Sequence, residues 1–266
     1  MENKSKKNLN FYRYLRYKLK KYLNQENLNL KRNLKIKKKI VDEIKKNGFF
    51  VIENFISKNE CKQIKQRIDR FINQKPSMVW KDDISSDTRI FGAENICPKI
   101  KKFCGNNFIR DIGSLFLEKK ISSLMVMANR LVYKKKNLGS GQGWHKDSYA
   151  KQFKSILYLS DVNKKNGPFQ LIKKTNSIFF DFKLFYKNNK NLQNTRFTNH
   201  EIKLISSDQQ RIENIYGKMG MLILVDTSLI HRGKPIEDGT RYAITNYLYP
   251  KTSIKNFNNH FLPRVK

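Results

Sequence analysis

The chain has 266 residues, 39% of them hydrophobic and 12% aromatic, which is enough to build one sizeable core. It carries 55 Lys and Arg residues against 22 acidic ones, and the formal net charge of +33 would attract nucleic acid, anionic lipid or lipopolysaccharide. The sequence contains no zinc-finger spacing and no RNA-binding aromatic motif, so a sequence-specific nucleic-acid reader is not expected. It also lacks an apolar run of about eighteen residues and an N-terminal signal segment, which predicts a cytoplasmic protein without a transmembrane helix.

Residues 1–40 differ in composition from the rest of the chain, because they are crowded with Lys, Arg, Asn and Leu and contain no Gly or Pro. Apolar side chains recur there at helical spacing, with basic ones on the other faces; the apolar positions are Phe11, Leu15, Leu19, Tyr22 and Leu23. A basic amphipathic helix of this kind can lie on an anionic membrane, so we expect peripheral membrane contact through this segment. Two alternatives stay open, a helix packed on the flank of the main domain and a loosely ordered tail. Residues 41–266 are predicted to form that main domain.

The first elements of the main domain are predicted from residue 40 onward. Ile40–Lys46 is typical of a helix, and Gly48–Ile56 is typical of a strand and its exit. Ser57 followed by Glu60 forms a capping box, which predicts the start of a second helix. The apolar stripe of that helix recurs at three- and four-residue intervals and consists of Cys61, Ile64, Ile68 and Phe71. The three cysteines form no C-x-x-C pair and are expected to be reduced thiols; they are Cys61, Cys97 and Cys104.

Residues 80–94 combine aromatic and polar side chains just before the predicted barrel strands. This composition favours a segment at the mouth of a site, so we select Trp80 and Arg89 as candidate substrate contacts, together with Trp144 further along the chain. Asp87 and Glu94 are candidates in the same segment. The alternative is an ordinary surface loop in which Asp87 and Arg89 pair with each other.

A His-x-Asp motif, His145 and Asp147, follows a predicted strand at Met127–Lys134 and a turn rich in Gly and Ser. Side chains repeat every two residues in an extended segment, so both motif residues are expected on the same face. Another predicted strand, Gly220–Asp226, ends shortly before His231. Two imidazoles and one carboxylate can bind one face of an Fe(II) ion and leave the opposite positions open. The three residues are therefore candidate metal ligands.

Arg241 opens a further predicted strand, which runs to Tyr249. Alternation places Arg241 on the same face as Ala243, Thr245 and Tyr247. An arginine just beyond the second histidine can hold a carboxylate of a dicarboxylic co-substrate in a two-pronged grip. The pattern therefore indicates a non-haem iron oxygenase that uses 2-oxoglutarate. For any single histidine the alternative is a packed or surface residue, and we interpret in that way the two that have no partner pattern, His200 and His260.

Four stretches of the chain carry these patterns, and they are GFFVIENFISKNECKQIKQRID, GSGQGWHKDS, SILYLSDVNKKNGPFQLIKK and GKMGMLILVDTSLIHRGKPIEDGTRYAITNYLY. Together they resemble the phytanoyl-CoA dioxygenase family of Fe(II)/2-oxoglutarate oxygenases, over roughly residues 47–250. The resemblance implies a mainly β fold with flanking helices, a double-stranded β-helix or cupin-like jelly roll. It also implies Fe(II) as the metal, 2-oxoglutarate as the co-substrate and O2 as the oxidant.

By this resemblance, His145, Asp147 and His231 match the iron ligands of the family's catalytic centre. Arg241 matches the arginine that forms a salt bridge with the distal carboxylate of 2-oxoglutarate. Because Asp147 is present, the halide-binding variant of the family, which lacks this carboxylate, is not expected. The resemblance therefore implies a hydroxylase that acts on a C–H bond.

Asn129 and Tyr133 occupy the strand before the His-x-Asp motif, where the family often places polar contacts to the co-substrate. One departure bears on the substrate: many members continue the Gly-Pro turn into a Pro-Gly-Ser-His segment, whereas this chain has Lys173–Ser177. A small, anionic or conjugated organic substrate suits the basic chain. The alternative is a catalytically silent family member that binds a ligand or a polyanion without turnover.

Overall fold

The computed structural model describes residues 34–186, 190–191, 193–205 and 212–250. Six α-helices lie within these ranges: α1 (Leu34–Asn47), α2 (Lys58–Gln74), α3 (Pro98–Cys104), α4 (Asn107–Leu117), α5 (Ile178–Tyr186) and α6 (Asn199–Ile205). Ten strands accompany them: β1 (Phe49–Ile52), β2 (Trp80–Lys81), β3 (Asp87–Ile90), β4 (Ile121–Val132), β5 (Phe153–Tyr158), β6 (Phe169–Ile172), β7 (Ile212–Ile215), β8 (Leu222–Asp226), β9 (His231–Gly233) and β10 (Thr240–Pro250). The apolar stripe predicted between Phe11 and Leu23 lies outside the described residues, and the predicted boundary near residue 40 falls inside α1.

The strands form two antiparallel sheets within the described ranges. The larger sheet has seven strands in the order β1-β8-β5-β10-β4-β3-β2, and the smaller sheet has three in the order β7-β6-β9. At the centre of the larger sheet, β10 pairs with β4 on one side and with β5 on the other. This mainly antiparallel architecture with flanking helices is the fold class that the sequence predicted.

The two faces of the larger sheet bury different groups, because side chains alternate along each strand. On β10, Tyr242 and Ile244 belong to the core that the sheet shares with helices α1 to α4. Ala243 points the other way and belongs to a second core between the two sheets, together with Ile156 and Tyr158 of β5. The helices therefore cover one face, while the other face is free to build a site between the sheets.

Helix α2 begins as its capping box predicted. The Ser57 hydroxyl accepts a hydrogen bond from Glu60 N–H at 3.2 Å, and the Glu60 carboxylate accepts one from Ser57 N–H at 3.0 Å. Phe71 is half-buried at the edge of the apolar stripe rather than inside it, and the buried positions of the helix are Cys61, Ile64, Ile68 and Ile72. The amphipathic face of α2 thus holds the helix on the larger sheet.

Two expectations drawn from composition can be compared with the structure. The three cysteines are free thiols, as expected; Cys61 and Cys97 are buried and Cys104 is half-buried. In the part of the chain that the structure describes, no helix has the length and apolar composition needed to cross a membrane.

Candidate active site

The backbone brings the two halves of the metal motif together. His145 N–H donates to His231 O at 2.9 Å, and His231 N–H donates to His145 O at 2.8 Å, so the two histidines form an antiparallel bridge. Asp147 N–H donates to Thr227 O at 3.0 Å, just beyond the end of β8. Because this segment is extended, His145 and Asp147 both line the same cavity, as their spacing predicted.

The three side chains converge on one point. One ligand atom from each of His145, Asp147 and His231 lies within 4.8 Å of the other two. Asp147 Oδ1 is 3.8 Å from His145 Nε2, and Asp147 Oδ2 is 3.8 Å from His231 Nε2. The centroids of the two imidazole rings are 4.4 Å apart. Two nitrogens and a carboxylate at these separations form a cluster of the size that holds one transition-metal ion.

The backbone also fixes the orientation of both imidazole rings. His145 Nδ1 lies 2.9 Å from Gly143 O, and His231 Nδ1 lies 2.9 Å from Leu229 O. A carbonyl oxygen can only accept a hydrogen bond, so each Nδ1 carries the proton and each Nε2 offers its lone pair toward Asp147. Burial lowers the pKa of His145 to about 3 and also lowers the pKa of His231. Both imidazoles are therefore neutral at neutral pH, which is the form that binds a metal.

Lys154, on β5, is a charged residue of the site that sequence reasoning missed. Its Nζ lies 2.6 Å from Asp147 Oδ2, and its side chain is 8% exposed. Burial alone would raise the pKa of Asp147, but Lys154 and the two histidines hold it well below its ordinary value, so the carboxylate is ionised. The signal available in the sequence was a lysine inside the apolar strand Phe153–Tyr158, every residue of which is buried.

The buried carboxylate of Asp147 fits a metal ligand. Its Oδ2 forms a short ion pair with Lys154, and within the described residues no further partner satisfies that buried atom. A carboxylate oxygen has two lone pairs, so Asp147 keeps acceptor capacity for a metal ion. Two neutral imidazoles and one ionised carboxylate form the donor set that Fe(II) takes in oxygenases of this kind.

Arg241 lies on β10 and is only 4% exposed. Its Nη1 donates to Gly167 O and its Nη2 donates to Asn129 Oδ1 at 3.1 Å, whereas its Nε has no hydrogen-bond partner among the described residues. Asn129 in turn donates from Nδ2 to Asp87 Oδ1. In the described part of the chain no carboxylate contacts Arg241 directly, so a buried guanidinium faces the cavity without a counter-ion of its own. An anionic ligand would supply that counter-ion.

A cavity of about 840 Å³ surrounds these residues. On β10, every second side chain lines it, as alternation predicted, and these are Arg241, Ala243, Thr245, Tyr247 and Tyr249. The strands on either side contribute from the same face, namely Met127 and Asn129 of β4 and Lys154, Ile156 and Tyr158 of β5. The metal cluster and Arg241 therefore open into one shared space.

Arg89 of the predicted substrate segment also lines the cavity. Its guanidinium forms a 2.5 Å ion pair with Asp87, the interaction that the surface-loop alternative proposed. Here, however, the pair is buried in the sheet, because β3 pairs with β4. Trp80 stacks on the far side of Arg89, with the guanidinium carbon 4.5 Å from the ring centroid. Trp80 thus supports Arg89 and is not among the residues that line the cavity, so its substrate contact stays a prediction that this geometry does not support.

Tyr133 and Trp144 also lie away from the cavity. Strand β4 ends at Val132, so Tyr133 lies beyond the sheet and is 53% exposed. Trp144 precedes His145 in an extended segment, and the alternation that turns His145 toward the cavity turns Trp144 away from it. Its ring is buried, with the Arg232 guanidinium carbon 4.2 Å from the centroid. Neither residue is among those that line the cavity, so the co-substrate contact of Tyr133 and the substrate contact of Trp144 stay predictions that this geometry does not support.

The family model described as Phytanoyl-CoA dioxygenase (PhyH) matches residues 44–241 of the chain. No protein in the curated set matches the chain significantly.

Solved structures resemble the fold at low sequence identity. The non-heme alpha ketoglutarate dependent epimerase SnoN from nogalamycin biosynthesis is 11% identical, covers 81% of this chain and 84% of its own, and has a TM-score of 0.62. The carbocyclase SnoK from the same biosynthesis is 13% identical, and the match covers 84% of this chain and 85% of SnoK, with a TM-score of 0.60. HygX from Streptomyces hygroscopicus, with nickel and 2-oxoglutarate bound, is 13% identical, and the match covers 84% of this chain and 88% of HygX, with a TM-score of 0.58. The two sheets are thus the jelly roll that the sequence predicted.

Proposed function

Since the chain belongs to the phytanoyl-CoA dioxygenase family, we propose that its cavity catalyses the Fe(II)- and 2-oxoglutarate-dependent hydroxylation of a C–H bond in a small organic substrate. The family match and the shared fold confirm the expected family and the jelly roll, and the His-Asp-His cluster supports Fe(II), 2-oxoglutarate and O2 as the cofactors. The reaction type, the role of each residue and the substrate go beyond these findings.

One observation carries the proposal: a His-Asp-His cluster with neutral imidazoles and an ionised carboxylate shares one cavity with a buried arginine that no carboxylate contacts among the described residues. The cluster would hold the metal through His145, Asp147 and His231. The guanidinium of Arg241, oriented by Asn129, would bind the distal carboxylate of 2-oxoglutarate. A dicarboxylic co-substrate would thus satisfy both halves of the site, whereas a metal ion alone would leave the buried guanidinium without a counter-ion.

When bound, iron would activate O2, the oxidant, and 2-oxoglutarate would supply two of the four electrons by its oxidation to succinate and CO2, so that the other two come from an unactivated C–H bond of the substrate. The chain itself contributes position and charge. The backbone bridge between His145 and His231 fixes the ligands on one face, so the opposite face stays open toward the cavity. Buried side chains of β5 and β10, among them Tyr158 and Ala243, line that space and limit its contact with bulk water, which strengthens the charge interactions inside it.

The substrate is proposed to be small and either anionic or conjugated. Two of the similar structures carry small molecules, since SnoN was solved with nogalamycin RO and HygX with hygromycin B. Peripheral contact with an anionic membrane through residues 1–40 remains a proposal about a segment that lies mostly outside the described residues.

The type of reaction must be tested, because two of the similar structures belong to an epimerase and a carbocyclase. Purified protein would be incubated with Fe(II), 2-oxoglutarate, O2 and a panel of small anionic and conjugated compounds. Succinate release identifies the compounds that trigger turnover, and mass spectrometry identifies the product. Hydroxylation predicts a product heavier by one oxygen atom. An isomer, or a product lighter by two hydrogens, would contradict hydroxylation, and the absence of any succinate would favour a catalytically silent family member.

A further inference from the structure

The cavity contains a second buried cation, Lys154, which lies beside the metal cluster. On the larger sheet it pairs with Tyr247 of β10, so both side chains point into the cavity. The ammonium lies 2.6 Å from Asp147 Oδ2 and 4.1 Å from the centroid of the Tyr247 ring. Lysine is rarely buried to this degree unless its charge is paired, because removing an ammonium from water is costly, and here the partner is a carboxylate of the metal cluster.

The ammonium of Lys154 has more N–H donors than the described residues satisfy. A lysine side chain carries three N–H donors and no acceptor. Among the described residues, the contacts of its Nζ are the carboxylate of Asp147 and the ring face of Tyr247. Since the lysine lines the cavity, its remaining donors are available to a ligand bound there.

The balance of charge around the cavity also favours an anion. Among the described residues, four cationic side chains face it: Arg89, Lys154, Arg196 and Arg241. Two carboxylates balance them, Asp147 in the lining and Asp87 behind it on Arg89. The charges of Fe(II) and of the 2-oxoglutarate dianion cancel each other, so the site with both bound keeps an excess of positive charge. In a low-dielectric cavity this excess attracts an anionic substrate.

We propose that Lys154 is a specificity-determining residue that binds a carboxylate or phosphate group of the substrate. This inference rests on the proposed function and identifies the class of compound that the site accepts. The ammonium is in direct contact with a metal ligand, so an anion paired with it lies close to the metal. The substrate therefore carries its negative charge within a few bonds of the oxidised carbon, and not on a distant conjugating group.

The test measures binding and does not depend on turnover. Full-length protein is first titrated with Mn(II) and then with 2-oxoglutarate, and both steps are followed by calorimetry. Acetate and methyl phosphate are then titrated separately into the loaded protein at constant ionic strength. Saturating 2-oxoglutarate occupies Arg241, so anion binding in the last step reports on a different cation. The two probes distinguish a carboxylate site from a phosphate site.

Four variants complete the test: Lys154→Met, Lys154→Gln, Lys154→Arg and the control Lys62→Met, which removes an exposed lysine of α2. We expect saturable binding of at least one anion to the wild type, to Lys154→Arg and to the control. Binding to Lys154→Met and Lys154→Gln is expected to be weaker by at least about tenfold. Two substitutions at position 154 are used so that a folding defect in one does not decide the outcome.

Two results would overturn the inference. One is equal anion affinity in the wild type and Lys154→Met. The other is that the wild type binds 2-oxoglutarate but shows no saturable binding of either anion. If Lys154→Met then also binds 2-oxoglutarate more weakly, the lysine is a co-substrate contact. Failure of the wild type to bind 2-oxoglutarate at all would contradict the proposed function instead, so the two failures are distinguishable.

Discussion

His145 and His231 lie far apart in the chain, yet each donates its backbone N–H to the carbonyl of the other, at 2.9 and 2.8 Å. This bridge places the two rings 4.4 Å apart, centroid to centroid. A further backbone hydrogen bond, from Asp147 N–H to Thr227 O, holds the third ligand. The ligands are thus positioned by main-chain contacts that do not require the metal, so single side chains can be changed with limited effect on the frame.

Replacing Asp147 by Ala is expected to abolish succinate formation. The variant leaves only two imidazoles as metal ligands, and the ammonium of Lys154 beside them loses its carboxylate partner. Mn(II) affinity should therefore fall by more than about 100-fold. Calorimetric titration of the metal and a succinate assay would measure both effects. The matched control is Asp161→Ala, which removes an exposed carboxylate outside the cavity. Full turnover in Asp147→Ala would contradict the assignment of the ligand.

Replacing Arg241 by Ala is expected to act on the co-substrate and not on the metal. Loss of one partner of a buried charge pair costs roughly 2–5 kcal/mol, so the 2-oxoglutarate requirement should rise by roughly 30-fold to several thousand-fold. Metal affinity should stay close to that of the wild type. Arg67→Ala, on the exposed surface of α2, serves as the control. If the 2-oxoglutarate requirement is unchanged, Arg241 does not bind the co-substrate.

The metal-free protein is expected to lose stability as the pH falls below about 6.5, partly through His145. Burial lowers its pKa from 6.5 to about 3, so below pH 6.5 the unfolded state takes up a proton that the folded state does not. The resulting loss of stability grows as the pH falls and levels off near pH 3. Between about pH 7.5 and pH 5 it amounts to about 2 kcal/mol.

Urea unfolding of wild type and His145→Gln, both with a chelator present, would measure this contribution. The wild type should lose more stability than the variant over that interval. An equal loss in both proteins would show that His145 does not carry it.

Replacing Asp181 by Ala is expected to destabilise the fold around the metal motif. Lys146, between the two ligands of the His-x-Asp motif, is fully buried and forms a 2.7 Å ion pair with the equally buried Asp181 of α5. Removing the carboxylate breaks this buried ion pair on one side only, which typically costs about 3–5 kcal/mol. Chemical unfolding would measure the loss. The double variant Lys146→Met with Asp181→Leu should recover most of it, and no recovery would mean that packing, not charge, dominates.

Sequence reasoning located the parts of the site that depend on local periodicity. The two-residue spacing of His145 and Asp147 places both on one face of an extended segment, whatever the strand packs against. The same rule placed Arg241 on the cavity face of β10. It would also have turned Trp144 away from the cavity, since neighbouring residues of an extended segment face opposite sides.

The parts that sequence reasoning missed depend on register between distant strands. Tyr133 would face the same side as Asn129 if the strand continued, but β4 ends before it. No local sequence pattern marks that end. Lys154 contacts Asp147 because β5 pairs with β8 and β10 in one register, which a single sequence does not specify. A lysine within an apolar strand is the one local sign that such a partner exists.

We expect the His-Asp-His cluster and Arg241 to bind Fe(II) and 2-oxoglutarate together. Anaerobic titration of the protein with both would detect this binding through the weak visible absorption band that arises when the keto acid chelates the iron. The wild type is expected to show the band with saturable dependence on 2-oxoglutarate. Asp147→Ala should lose it, and Arg241→Ala should show it only at much higher co-substrate concentration. No band in the wild type at saturating iron would contradict the account.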